Sequence, residues 1–250
     1  VLLVHGLLGR ADDWAPVAER LAGQARVVAL DLPGHGKQDR AGAVPSFDTA
    51  VDAIISQCAE RFPGEPVHLV GYSLGGRLAW HAARRAPARW ASLTLLSARP
   101  GMVDAQERAM RRASDAAWAE AWRTMPYAAW LARWYRQPVF ASLARDPTVL
   151  EAMLAARCGE PSPPVEALLT EWGQGAAPPL DIQAAPHPPC ILYMAGADDP
   201  GYAGAVPGLE RLWPGLRAVI VPGAGHAVHI EQPECVAREI INLITTKAGV

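Results

Sequence analysis

A chain of 250 residues, half of them hydrophobic, is long enough for one α/β domain with a large core. Its 23 Lys and Arg against 25 Asp and Glu give a formal charge of -2, which leaves no basic excess to hold a polyanion and excludes nucleic acid as an expected partner. No apolar run approaches the roughly 20 residues that span a bilayer and no charged leader precedes a cleavable apolar stretch, so no membrane span and a cytoplasmic location are expected.

The chain opens at Val1, inside an apparent strand and without an initiator methionine, which leaves upstream residues open. Val1 to Val4 is a short apolar run ending at His5-Gly6-Leu7-Leu8-Gly9, the pattern of a buried parallel strand followed by a glycine-bearing loop. Such a loop can supply one half of an oxyanion hole, through the N–H of Leu7. Asp13 to Leu21 has helical spacing, Val27 to Leu30 reads as the next strand, and Asp31 to Gly36 as a tight turn. Phe47 to Phe62 is expected to be a helix, stopped by Pro63-Gly64.

Val67, Leu69 and Val70 then lead as a strand into Gly71-Tyr72-Ser73-Leu74-Gly75, and Leu78, Ala79, Trp80 and Ala82 leave it as a helix. That is the setting of a nucleophile elbow, where a serine at a sharp strand-to-helix turn stands above the sheet and the N–H of the following residue, Leu74, points at developing charge. A strand over Leu93 to Leu96 continues the alternation, which predicts a mostly parallel sheet with helices on both faces. From residue 98 to residue 189 tryptophans and arginines recur at helical spacing among several prolines, with no convincing strand. This is expected to be a helical lid inserted over the carboxyl ends of the strands within a single domain of residues 1–250. Trp118, Trp122, Trp130, Trp134, Trp172 and Tyr135 would supply much of its packing surface. Cys190 to Ala195 resumes the sheet, Ala218 to Val221 is the last strand, and a helix from Pro233 to Thr246 closes the chain. Cys58, Cys158, Cys190 and Cys235 lie far apart without a C-x-x-C pair, which suggests reduced thiols and neither a zinc site nor a disulfide framework.

Ser73, Asp199 and His226 each follow a strand end, in the order serine, acid, histidine. A serine hydroxyl is barely acidic at neutral pH, so a histidine must take its proton and a carboxylate must fix the tautomer of that histidine. Asp198 competes for the acid role. Asp199 is preferred because it precedes Pro200 and stands third after Gly196. His229 competes with His226, which is preferred because it directly follows a glycine in the strand-end loop. His5 is expected to shape the oxyanion loop, and His35, His68, His81 and His187 to be structural or surface groups.

With these residues in place the chain resembles the α/β-hydrolase superfamily over almost its whole length. Arg77, Arg99-Pro100-Gly101, Ala105 to Arg108 with Arg111, and above all the run from Trp134-Tyr135-Arg136-Gln137-Pro138-Val139-Phe140 to Leu143 resemble the menaquinone-pathway synthase family MenH. One departure is the short N-terminal stretch, which lacks the first strands of that family. The resemblance implies a lyase with Ser73 as base, which eliminates pyruvate to form 2-succinyl-6-hydroxy-2,4-cyclohexadiene-1-carboxylate without metal or organic cofactor. It also implies substrate contacts from Tyr72, Arg77, Arg111, Trp134 and Arg157. Independently, Arg77 lies one helical turn beyond Ser73, and Arg108, Arg111 and Arg112 recur on one stretch of helix, either as a solvated face or as forks for a small substrate with several carboxylates. Ester or carbon–carbon bond hydrolysis by the same triad, and a silent binding protein of the same fold, are the alternatives. Nothing in the sequence fixes an oligomeric state.

Overall fold

A computed structural model describes residues 1–36, 44–158, 164–179 and 190–247. Among them, strands β1 (Leu2–Val4), β2 (Val28–Leu30), β3 (Val67–Tyr72), β4 (Trp90–Leu96), β5 (Ile191–Gly196) and β6 (Arg217–Val221) pair in parallel in the order β2-β1-β3-β4-β5-β6. Successive strand residues feed opposite cores, as the period of two requires. Leu2, Val4, Leu69, Leu93, Leu95 and Tyr193 belong to one hydrophobic cluster, and Leu3, Val70, Leu96, Leu192 and Met194 to the other. Both faces are therefore covered, which is why these strands read as continuous apolar runs.

Helices α1 (Ala15–Leu21), α2 (Phe47–Arg61) and α3 (Leu74–Arg85) alternate with the first strands. Ser46 caps α2, its side chain accepting from the N–H of Thr49 at 3.2 Å, and Phe47, Ala50, Val51, Ile54 and Cys58 form its buried stripe. The helix expected from Asp13 opens earlier, as a 3-10 turn over Ala11–Trp14. Strand β4 begins at Trp90 rather than Leu93, because Trp90 is buried and its indole N–H donates to Ala82 O at 3.0 Å, fixing the strand start to α3.

Between β4 and β5 the described residues hold α4 (Ala105–Thr124), α5 (Tyr127–Trp134), a 3-10 segment (Pro138–Arg145), α6 (Pro147–Cys158) and α7 (Val165–Trp172), and no strand. Asp104 caps α4 by accepting from Glu107 N–H at 2.8 Å. Trp118, Trp130 and Trp134 pack ring against ring, at 5.0 to 5.8 Å between centroids, and so join α4 to α5. His187 and the last ten positions of the expected insertion, 180–189, lie outside the described residues. The chain then runs through α8 (Pro200–Ala203), α9 (Val206–Leu212), α10 (Val228–Glu231) and α11 (Pro233–Lys247). No helix among the described residues is long and apolar enough to cross a membrane.

Candidate active site

Ser73 joins β3 to α3 with φ 50 and ψ -112, the left-handed side of the map where a residue with a side chain is strained. The surrounding glycines make this turn possible by close approach. A Cβ on Gly71 would lie 2.5 Å from Gly75 O, and one on Gly75 would lie 2.3 Å from His5 O, both far inside contact distance. The elbow is thus pressed against the loop after β1, and the Ser73 hydroxyl stands at the start of α3.

Three loops converge on that hydroxyl. His226 Nε2 lies 3.1 Å from Ser73 Oγ, and His226 Nδ1 lies 2.7 Å from Asp199 Oδ2. Asp199 and His226 are both buried. The second oxygen of Asp199 accepts from Tyr202 N–H at 3.4 Å, because Asp199 also caps α8. The competitors are placed elsewhere. Asp198 turns outward to an exposed ion pair with Arg145 at 2.6 Å, and His229 is buried between Trp14 and Tyr72. Burial, with Arg157 and His226 nearby, pushes the His229 imidazole down to about 3, so it is neutral at physiological pH.

His5 ties the loop after β1 in place. Its Nδ1 lies 2.7 Å from Gly6 O, and its Nε2 accepts from Leu32 N–H at 3.0 Å, so it bridges the loops after β1 and β2. Leu7 and Leu74, the two expected oxyanion donors, both line the cavity in front of Ser73.

That cavity has a volume of about 320 Å³. Among the described residues four arginines line it, Arg77, Arg99, Arg111 and Arg157, against one carboxylate, Asp13. Arg77 is buried and its Nη1 has no hydrogen-bond partner among the described residues; burial pushes the guanidinium down to about 10, still a cation at neutral pH. Arg111 donates from Nε to Asp115 at 2.9 Å and from Nη1 to Gln174 at 2.9 Å. Arg157 donates to Leu8 O at 2.9 Å, Met153 O at 3.1 Å and Asp13 Oδ2 at 2.6 Å, which uses three of its five N–H groups. It therefore ties α6 to the loop after β1 as well as facing the cavity. Arg108 and Arg112, by contrast, donate to Gly175 O and brace the insertion internally. Tyr72, raised well above its ordinary value by burial and by neighbouring tyrosines, keeps its phenolic proton and lines the wall with Trp134.

Sequence reasoning placed Ser73, Asp199, His226, Leu7, Leu74, Tyr72, Arg77, Arg111, Trp134 and Arg157 here, and all but Asp199 line the cavity, with Asp199 behind His226. It missed Arg99, Gln174, Tyr202 and Phe140 as wall residues. Tyr202 had a local signal, three positions after Asp199 in the turn that the acid caps. Gln174 had none, because only folding brings it to 2.6 Å from the Tyr202 hydroxyl. Among the described residues no group of three or more His, Cys, Asp or Glu side chains could hold a metal ion.

Residues 1–233 match the α/β hydrolase fold family model. The chain belongs to the α/β-hydrolase family. Within that family, a relative from Serratia proteamaculans (strain 568) named 2-succinyl-6-hydroxy-2,4-cyclohexadiene-1-carboxylate synthase is 36% identical over 98% of this chain and 92% of its own length. One of the same name from Escherichia coli O1:K1 / APEC is 31% identical over 98% and 93%. The solved structure of MenH from S. aureus superposes with a TM-score of 0.89 over 99% of this chain and 94% of that one, at 22% identity, a likeness of fold. A thermophilic esterase from Thermogutta terrifontis, solved with malate bound, superposes at 0.80 with 25% identity, over 98% and 89%. This α/β-hydrolase thus stands beside synthases in sequence and beside both synthase and esterase in fold.

Proposed function

We propose that this protein is a carbon–oxygen lyase of menaquinone biosynthesis, which eliminates pyruvate from 2-succinyl-5-enolpyruvyl-6-hydroxy-3-cyclohexene-1-carboxylate to give 2-succinyl-6-hydroxy-2,4-cyclohexadiene-1-carboxylate. Ser73 takes a ring C–H proton as His226 takes the hydroxyl proton, and Asp199 stabilises the imidazolium. The electron pair moves through the ring to form the diene and breaks the bond to the enolpyruvyl oxygen. The enol leaves with a proton and becomes pyruvate, so no water is consumed and no acyl-enzyme forms. N–H groups of Leu7 and Leu74 stabilise charge developing on a substrate oxygen. The substrate carboxylates are held by Arg77 and Arg111, with Arg157, Tyr72 and Trp134 completing the wall, and residues 98–189 act as the lid of a single-domain enzyme.

The observation that carries this reading is the juxtaposition of the Ser73–His226–Asp199 chain with a cavity wall of four arginines, one of them buried with a nitrogen that has no partner among the described residues. Such an excess of cations suits a multiply anionic substrate and has little use in a pocket for simple esters. The names of the relatives at 31% and 36% identity support the same assignment. Ester or carbon–carbon bond hydrolysis, with Ser73 as nucleophile, is the second reading, favoured by the likeness to the esterase. Comparing kcat/KM for pyruvate release with that for p-nitrophenyl esters decides between them. The lyase reading requires a ratio of at least about a hundred, equivalent to roughly 2.7 kcal/mol in the transition state. Ester turnover exceeding pyruvate release would establish the hydrolase.

A further inference from the structure

His226 sits in the irregular stretch of residues 222–227 between β6 and α10, yet its ring must hold two hydrogen bonds at once. What fixes that loop is a side chain at the end of α10. Glu231 Oε2 accepts from Gly225 N–H at 3.0 Å, and Glu231 Oε1 accepts from Ala227 N–H at 3.2 Å. The two N–H groups belong to the residues on either side of His226, so one carboxylate straddles the position of the imidazole. The short helix that carries Glu231 is closed onto the same loop, since Ile230 and Glu231 N–H both donate to Ala227 O at 2.8 and 2.9 Å. The insertion packs against the same loop. A Cβ on Gly225 would lie 2.0 Å from Ser142 Oγ, and the Phe140 ring meets His226 edge-on at 5.7 Å. Backbone and ring are thus held by two separate segments, the backbone by the Glu231 carboxylate and the ring by the Pro138–Arg145 segment.

We propose that Glu231 is a positioning residue for His226, acting through the Gly225 and Ala227 amides. This rests on the role assigned above to His226 as proton acceptor from Ser73. A carboxylate is suited to the task because two charge-assisted hydrogen bonds from one rigid group set both the height and the tilt of a three-residue loop. A glutamine keeps one acceptor but turns an N–H₂ toward the other amide, and an alanine removes both acceptors.

The test uses Glu231→Gln and Glu231→Ala in the full chain, each checked by thermal unfolding. One readout is independent of the physiological substrate: the rate at which an organophosphonate modifies Ser73, which needs an aligned His226. The second is the split between kcat and KM for pyruvate release. In the alanine variant both the modification rate and kcat should fall about tenfold or more, since small misplacements of catalytic groups are that costly, with KM within about twofold. The glutamine variant should fall between it and the parent. Rates per folded molecule within about twofold of the parent in both variants would overturn the assignment, as would losses that only follow the folded fraction. If the alanine variant does not fold, the glutamine variant alone decides by the same criteria. A parent that releases no pyruvate but shows the graded loss in Ser73 modification would retain Glu231 as the positioning residue and remove the lyase reading.

Discussion

Arg77 offers a test in which stability and activity should move in opposite directions. Its side chain is buried, Nη1 lacks a partner among the described residues, and burial is the main reason its guanidinium is pushed down from its ordinary value to about 10. Keeping it charged in the fold therefore costs about 3 kcal/mol, at about 1.36 kcal/mol for each tenfold change in proton affinity. Because the folded value is below the unfolded one, the cost is present in full at every pH below about 10 and is relieved only as pH rises from there toward the ordinary arginine value. Arg77→Met keeps an unbranched apolar stem and removes the charge. The variant should unfold at the same temperature or several degrees higher, at about 2–4 °C per kcal/mol for a chain of this size. Its kcat/KM for pyruvate release should drop tenfold or more, the equivalent of losing about 1.5–3 kcal/mol of hydrogen bonding to a charged group. Differential scanning calorimetry and steady-state kinetics on one preparation suffice. A lower unfolding temperature with unchanged kcat/KM would show that Arg77 is a structural residue, and the anion-site argument would fail.

Other perturbations follow from the same geometry. Ser73→Ala and His226→Ala should each lower pyruvate release by orders of magnitude, and Asp199→Asn should be severe while Asp198→Asn, which alters only an exposed ion pair, should be mild. The reverse ranking of the two asparagine variants would move the acid role to Asp198. Gly75→Ala places a Cβ 2.3 Å from His5 O and should destabilise the protein by about 1–3 kcal/mol in urea unfolding; a neutral result would mean that the elbow yields freely. His229 is neutral in the fold down to about 3 but takes a proton below 6.5 when unfolded, so stability should fall with pH across that window, by up to about 1.4 kcal/mol per pH unit for this one group. His229→Leu should flatten the pH dependence of unfolding there, and an unaltered slope would refute a buried, neutral His229.

Much of this site was legible because its chemistry is tied to strand ends. An elbow serine, a G-x-x-D turn and a histidine after a glycine are local patterns, and a parallel sheet brings its carboxyl ends together whatever the loops between them. The strands were legible for a related reason: runs such as Ile191 to Ala195 bury both faces and stay apolar throughout. What the sequence concealed depends on contacts between distant segments. Arg157 is 144 positions from Asp13, and nothing local reveals that the two form a largely buried pair. The Trp134 to Leu143 run carried a family likeness without a physical reason, and folding supplies one, since Phe140 and Ser142 close over the His226 loop. No local pattern marks Glu231, and its partners appear only once the loop before α10 is folded back.

The central claim is elimination, and the mass of the products tests it most directly. Elimination splits the substrate into a ring product and pyruvate whose masses together equal that of the substrate, whereas hydrolysis adds one water across the broken bond. With the reaction run in oxygen-18 water and the ring product examined at once by mass spectrometry, the account predicts a conjugated diene free of label, formed one for one with pyruvate and abolished in Ser73→Ala. A ring product carrying an added hydroxyl, labelled or not, would contradict it and make this protein a hydrolase.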